Sequence, residues 1–204
     1  MKKNNVIIMG VVLLAVITVV YSFVGQDDGA YEQTILKQRE EKDHFMRTAS
    51  DSPFAGKVEE YAGLNYFPPD KKYRVTARLT PIENKKMTEL ATSDDKTKRY
   101  MEYAYAEFSI DGAAQRLLIF EIIDMGPYRG TLFLAFGDET STRETYGAGR
   151  YLDVKKPKGI KTITLDFNEA YNPYCAYNEN YSCPLPPREN LLTIPVKAGE
   201  KMYH

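Results

Sequence analysis

Three patterns of apolar and polar positions follow one another along the chain. Residues 6–24 carry no charged side chain, residues 29–50 are rich in charge with a thin apolar stripe, and after Pro53 short apolar runs alternate with period two. These patterns are typical of a membrane-spanning helix, a surface helix and β-strands, respectively. We therefore expect three parts: a signal anchor or transmembrane segment (1–26), a helical stalk (27–52) and a single mostly β domain (53–204).

The N-terminal apolar run predicts where the rest of the chain lies. As a helix it would nearly cross a hydrocarbon core about 30 Å thick. Lys2 and Lys3 precede the run, and Asp27 and Asp28 follow it, so the positive-inside rule places the N-terminus in the cytosol. A retained anchor and a cleaved signal peptide are both open. Either one predicts an extracytoplasmic body, periplasmic or extracellular, and the retained anchor predicts a membrane-anchored protein.

The remainder of the chain reads as a series of short strands. Residues 100–110 and 116–123 flank Asp111-Gly112, a pair of residues favoured in tight hairpin turns. Helical periodicity of useful length is missing after Pro53. We expect a mainly β fold, an antiparallel sandwich or a partly closed barrel. Further strands are predicted over 73–80, 131–136, 150–154, 161–165 and 191–196, with a weaker one over 87–92.

Charge and histidine content exclude several classes of function. The chain has 27 basic and 28 acidic side chains, so it lacks the positive charge that nucleic-acid binding requires. Its two histidines, His44 and His204, lie in the predicted stalk and at the last position. A Ser–His–Asp triad or a His-ligated zinc is therefore not expected. We predict no cofactor, no metal site and no nucleic-acid partner.

Two cysteines, Cys175 and Cys183, lie in a stretch (168–190) that is rich in Pro and Tyr and has no regular period. In an oxidising compartment such a pair is expected to form a disulfide. Closing so short a loop would stabilise the domain by about 2–3 kcal/mol in the chain-entropy model.

The polar segment 138–153 is the richest in candidate chemistry. In one interpretation Arg150 clamps a carboxylate or phosphate through its planar fork, and Glu144 or Asp153 serves as acid, base or anchor. In the other interpretation these charges form an ion-pair network that fixes a strand to a loop. The residues alone leave both interpretations open.

Four blocks of the sequence resemble the domain of unknown function 1684 family. They are GLNYFPPDKKYRVTARLTP (63–81), TYGAGRYLDV (145–154), LDFNEAYNPYCAY (165–177) and SCPLPPRENLLTIPVKAGEK (182–201). The resemblance implies a single mostly β domain and carries no established activity. It also suggests one constellation, made of Arg150, Tyr151, Asp153, Asp166, Asn168, Tyr171, Asn172, Cys175, Cys183, Glu189 and Asn190.

Two functions are compatible with these residues. The first is a membrane-tethered binding or interaction module for a small molecule or a protein partner, and the ligand-binding candidates are Tyr146, Arg150, Tyr151, Asn168, Tyr171, Asn172 and Asn190. The second is a His-free hydrolase that uses paired carboxylates, and the catalytic candidates are Glu144, Asp153, Asp166 and Glu189. Two partly buried acids that face one open cavity would favour the hydrolase, whereas acids that are each paired with an arginine or a backbone amide would favour the module.

Overall fold

The computed structural model describes residues 28–124, 126–156, 159 and 161–203. Residues 28–48 form one α-helix, here α1. Short 3-10 turns and seven strands follow in the described residues. The strands are β1 (Arg74–Pro81), β2 (Met87–Ala91), β3 (Thr97–Ile110), β4 (Ala113–Ile122), β5 (Leu132–Phe136), β6 (Arg150–Val154) and β7 (Thr162–Asp166).

The strands form one antiparallel sheet in the order β6-β5-β4-β3-β1-β7, with β2 paired to β3. The predicted β3–β4 hairpin is confirmed. Its turn residues, Asp111 and Gly112, have φ of 49° and 81°. Positive φ at both central positions matches the right-handed twist of the flanking strands.

The sheet is curled, so its two ends approach each other. Just after β7, the chain pairs with β6, because Tyr151 and Tyr171 exchange backbone hydrogen bonds of 2.8 and 3.0 Å. The mainly β prediction is therefore confirmed in the form of a curled single sheet. The predicted strand over 191–196 is wrong: this segment contributes isolated contacts and buried side chains, and its Pro195 has no N–H to donate to a ladder.

Apolar side chains pack on both faces of the sheet. Inside the curl, Val75, Ala77 and Leu79 of β1 meet the other strands and the C-terminal segment, which inserts Leu192, Val196 and Ala198. On the outer face, Tyr100, Phe120 and Phe133 lie beneath the irregular segment 171–183. Burial on both faces explains why β5 is apolar without alternation.

Helix α1 lies against the β domain. Its apolar stripe is as thin as the sequence indicates, and Ile35 and Met46 are its most buried side chains, at 2% and 1% exposed. Met46 packs against Phe54 and Tyr61. The rest of the contact is polar, as described below. The boundaries predicted between the three parts of the chain stay predictions.

The prediction of an N-terminal transmembrane helix needs correction. Residues 6–24 lie outside the described residues, and within these no helix is long and apolar enough to cross a membrane. Helix α1 is rich in charged side chains such as Glu32, Lys37 and Glu41, which oppose insertion into hydrocarbon. The predicted membrane anchor is therefore not supported. The membrane-anchored, extracytoplasmic location was inferred from that anchor and is not supported either.

Candidate functional site

Arg150 lies at the start of β6 and is the largest fully buried side chain, at 1% exposed. Its Nη2 donates to Asp138 Oδ2 at 2.8 Å and to the Val196 carbonyl at 2.9 Å. Its Nη1 donates to the carbonyls of Ala198 and Glu200. The guanidinium therefore ties β6 to the C-terminal segment, which is the arrangement of the ion-pair-network interpretation.

The partner of Arg150 is itself held by the loop after β5. Asp138 Oδ1 accepts from the backbone N–H and the hydroxyl of Thr140, at 2.7 and 2.6 Å, and from the Val196 N–H at 3.2 Å. Gly149 permits the close approach next to Arg150: its φ is +86°, and a Cβ there would come within 2.6 Å of the Phe136 carbonyl oxygen. Glycine suits both requirements.

The three predicted asparagines also bind backbone groups of the protein. Asn190 donates from Nδ2 to the carbonyls of Leu118 and Ala135 and accepts from the Leu118 N–H, at 2.7–2.9 Å. Asn168 exchanges two hydrogen bonds with the backbone of Asp70. Asn172 Nδ2 donates to the Lys201 carbonyl. These amides brace irregular chain against the sheet.

The four predicted catalytic acids each have their own partner and do not face one cavity. Glu144 pairs with Lys197 at 2.9 Å, Asp153 accepts from the Tyr171 hydroxyl at 2.8 Å, and Glu189 accepts from the Tyr105 hydroxyl at 3.2 Å. Asp166 accepts from the Tyr31 hydroxyl and the Asn168 N–H. Only Asp166 has the kind of partner expected for the binding module, since it accepts from a backbone N–H and lies 3.6 Å from Arg74 Nε.

Charged side chains converge elsewhere, in a cavity of about 60 Å³ between α1 and the β domain. We call it the helix–sheet crevice. Helix α1 contributes residues from successive turns of one face, as expected for positions three and four apart. The β domain contributes the chain around Tyr66, the end of β7 and the C-terminal segment. Its main polar and aromatic lining residues are Arg39, Lys42, Tyr66, Glu169, Tyr171 and Glu200.

A buried carboxylate lies at the base of the crevice. Glu200 Oε1 pairs with Lys42 Nζ at 2.8 Å, and Oε2 accepts from the Asn172 N–H at 2.8 Å and from the Tyr177 hydroxyl. The preceding Gly199 has φ of +73°, and a Cβ there would come within 2.5 Å of the Ala170 carbonyl oxygen. A buried charge requires a partner and hydrogen bonds, and Glu200 has both.

Arg39 lies on the wall of the crevice. Its guanidinium stacks over the Tyr66 ring at 4.4 Å, and Nη1 donates to the Phe67 carbonyl at 2.9 Å. The Nε atom is buried and has no hydrogen-bond partner among the described residues. Such a buried donor costs about 1–3 kcal/mol when it stays unpaired.

Glu169 brings the second incompletely compensated charge to the crevice. Gln38 donates to its Oε1 at 3.2 Å. Glu169 is exposed as a residue, but partial burial of its carboxyl raises its pKa, and the nearby negative charge of Asp166 raises it further. Lys42 and Glu200 pair with each other, whereas Arg39 and Glu169 have no direct ion pair among the described residues.

A wider groove of about 480 Å³ runs beside β2 and β3. It is lined by Glu89, Lys98, Arg99 and Asp124, among others. Arg99 and Asp124 pair at 3.0 Å, and both are about half exposed. Exposed pairs contribute little and bind a ligand weakly, so the helix–sheet crevice is the better candidate.

The predicted disulfide is wrong, because Cys175 and Cys183 are free thiols. They are neighbours: the Cys175 N–H donates to Cys183 Sγ at 3.2 Å, and the Tyr146 hydroxyl points at Cys175 Sγ, 3.9 Å away. A hydrogen bond from the Cys183 thiol lowers the pKa of Cys175 to about 6. The disulfide was predicted for an oxidising compartment. That location was inferred from the membrane anchor, which is not supported.

The predicted residues and the crevice overlap in part. Asn168 and Tyr171 line the crevice, Tyr151 is buried with its hydroxyl bonded to the Pro184 carbonyl, and Tyr146 lies beside Cys175.

Sequence reasoning missed five of the main lining residues of the crevice, namely Arg39, Lys42, Tyr66, Glu169 and Glu200. One available signal was the spacing of positions 35, 39 and 42, which places an apolar and two basic side chains on one face of a helix. The other was the glycine that directly precedes Glu200. Neither signal indicates by itself that the helix docks on the C-terminal segment.

Comparisons with known proteins agree with this fold and add no chemistry. A family model described as "Protein of unknown function (DUF1684)" matches residues 59–201. A solution NMR structure of an uncharacterized protein from Haloarcula marismortui is 39% identical, covers 86% of this chain and 96% of its own, and has a TM-score of 0.65. No curated protein matches the chain.

Proposed function

This chain belongs to the family of proteins of unknown function DUF1684, and from the geometry of its site we propose that it is a small-molecule binding module. The ligand lies in the helix–sheet crevice. We infer a small zwitterion, such as a free amino acid, whose carboxylate pairs with Arg39 and whose ammonium pairs with Glu169.

The unpaired Nε of Arg39 carries this proposal. A ligand oxygen that accepts from it would remove the cost of a buried, unsatisfied donor. Hydrogen bonds between a guanidinium and a carboxylate are also stronger than neutral ones. A carboxylate is therefore the ligand group that gains most at this wall of the crevice.

Charge balance supports a ligand that carries both signs. Lys42 and Glu200 are paired at 2.8 Å, so a purely anionic ligand would lie against the carboxyl of Glu169 without compensation. An ammonium group favours the ionised form of Glu169, whose pKa is raised by burial. A zwitterion can therefore pair with Arg39 on one wall and with Glu169 on the other.

The size of the crevice limits the ligand. A water molecule needs roughly 10–15 Å³ of such volume, so a cavity of about 60 Å³ holds only a few non-hydrogen atoms. Glycine and alanine fit this limit. Asn168 and Tyr171, two of the ligand-binding candidates from the sequence, contribute to this lining.

Titration of the full chain with glycine, followed by calorimetry or NMR, tests the proposal. We expect saturable binding to the wild type and at least about a tenfold loss of affinity, or 1.4 kcal/mol, in Arg39→Gln. Acetate and methylamine, which carry one charge each, should bind more weakly than glycine. Arg47→Gln is the matched control, since Arg47 lies on the same helix and pairs with Asp43 outside the crevice.

A second variant keeps the test decisive if Arg39→Gln disturbs the docking of α1. Glu169→Gln retains the side-chain shape and an oxygen for Gln38, and it should also weaken glycine binding. Equal glycine affinity in the wild type, Arg39→Gln and Glu169→Gln would refute the site, as would a loss of affinity in Arg47→Gln.

A hydrolase remains the second candidate, supported by one observation. Glu169, whose pKa is raised, and the buried Glu200 carboxylate line the same crevice, and a carboxylate hydrolase requires two such groups at one site. A panel of chromogenic esters and glycosides tests it: turnover that disappears in Glu169→Gln supports the hydrolase, and absence of turnover in the wild type rejects it.

A further inference from the structure

The two thiols and their neighbours form a second site, outside the lining of the crevice. Cys183 is 7% exposed and Cys175 is half-buried. The Cys175 N–H contacts Cys183 Sγ at 3.2 Å, which places the two cysteines side by side. The pair is thus preorganised, with one sulfur accessible from solvent.

The surroundings of the two thiols favour a soft metal ion with a low coordination number. Aromatic rings pack around the thiols, including Tyr174 and Tyr181. Among the described residues, no group of three or more His, Cys, Asp or Glu side chains is arranged to hold a metal. Two sulfurs alone leave a tetrahedral ion half-coordinated, whereas thiolates suit Cu(I).

The geometry points to a two-sulfur site for a thiophilic monovalent ion, Cu(I), held between Cys175 and Cys183. Both thiols lose their protons to solvent, and the two thiolates coordinate one Cu(I), which leaves one net negative charge on the complex. Lys98 lies near Cys183 and is positioned to offset this charge, with its Nζ fixed to the Ser182 carbonyl at 2.6 Å. Copper stays in the +1 state throughout, so the step needs no oxidant or reductant.

Competition for Cu(I) tests this site. The full chain is titrated under anaerobic conditions against the coloured Cu(I)–bicinchoninate complex. We expect the wild type to withdraw one Cu(I) per chain, and Cys175→Ser and Cys183→Ser each to withdraw none, because a single thiolate loses the chelate. Met87→Leu is the control, since Met87 is an exposed soft ligand away from the pair, and it should withdraw as much copper as the wild type.

Two further measurements separate the alternatives. X-ray absorption of the copper-loaded wild type should show two sulfur atoms around copper, and a shell of nitrogen or oxygen would overturn the site whatever the variants do. Zn²⁺ should not compete, because it prefers four ligands. Retention of copper by either serine variant, or its loss in Met87→Leu, would equally overturn the proposal. Glycine binding is independent of all these outcomes.

Discussion

Arg150 is a single residue on which three chain segments depend. Its truncation would leave Asp138 as a buried charge without a cation and would free three carbonyl groups of the C-terminal segment. We predict that Arg150→Ala lowers the free energy of unfolding by about 3–5 kcal/mol. Arg150→Lys should cost nearly as much, because lysine lacks the planar fork. Urea denaturation measures both, and a loss below about 1 kcal/mol in Arg150→Ala would contradict this role.

The carboxyl of Glu169 gives a prediction for pH. Its pKa is raised in the folded protein, so its contribution to stability is complete below the unfolded pKa and is lost as the pH rises through the folded pKa. Glu169→Gln removes this loss. The variant should therefore melt at a higher temperature than the wild type at pH 7. The gain in free energy of unfolding should be less than about 1 kcal/mol, because the Glu169 side chain is largely exposed to solvent.

Thermal melts from pH 3.5 to 8 check this sign. Near the lower end both proteins carry an uncharged side chain at position 169, and their melting temperatures should converge. A difference that is constant across the range would show that the charge of Glu169 has no part in it.

Single residues also show where sequence reasoning stops. The charge, the planar fork and the neighbouring glycine of Arg150 are visible in the sequence, but its burial depends on carbonyls 46–50 positions away. Glu200 looks like an ordinary charged residue near the end of the chain. Its burial follows from partners on α1 and in the segment after β7. No local sequence pattern predicts that these segments contact each other.

Among the structural elements, β4 and β5 depend on a side chain from outside the sheet. Their ladder pairs Phe120 with Phe133 and Glu121 with Leu132, and further along Asn190 fills the gap by bonding Leu118 and Ala135. We predict that Asn190→Ala costs more than about 3 kcal/mol, because each buried backbone group left unpaired costs about 1–3 kcal/mol.

Hydrogen exchange provides the measurement for this element. The amide of Leu118 should lose protection in Asn190→Ala more than the amides of the β1–β7 pair. Asn178→Ala is the control, since Asn178 bonds the backbone of Pro53 and its own turn. Uniform loss of protection in both variants would argue against a local bridge between β4 and β5.

The strands themselves were predictable to different degrees. Alternation and the Asp-Gly turn locate β1, β3 and β4, because one-sided burial and positive φ leave direct marks on a sequence. The segment 191–196 shows the same alternation, yet its side chains enter the core from a chain that pairs with no full strand. Alternation reports which side chains are buried, and it does not report where backbone hydrogen bonds go.

For the whole molecule, the attachment of α1 rests largely on polar contacts. Lys42 pairs with Glu200 and stacks over the Tyr171 ring at 4.2 Å. We predict that Lys42→Ala destabilises the full chain by about 1–3 kcal/mol, since it leaves a buried carboxylate without its cation. Lys37→Ala, on the same helix, removes an exposed pair with Glu41 and should be near neutral.

Limited proteolysis alongside denaturation checks this prediction. Cleavage within α1 should be faster in Lys42→Ala than in Lys37→Ala if the pair holds the helix on the domain. Equal stability and equal cleavage in the two variants would show that Ile35 and Met46 suffice for the attachment.

The C-terminal segment also decides when the domain can form during synthesis. The ribosome delivers β1 to β7 first, yet the interior still lacks Leu192, Val196 and Ala198, and Arg150 still lacks the carbonyls it binds. The core is therefore incomplete until residues 192–200 have left the exit tunnel. Translation arrested just short of that point should therefore yield a chain that proteases cleave more readily.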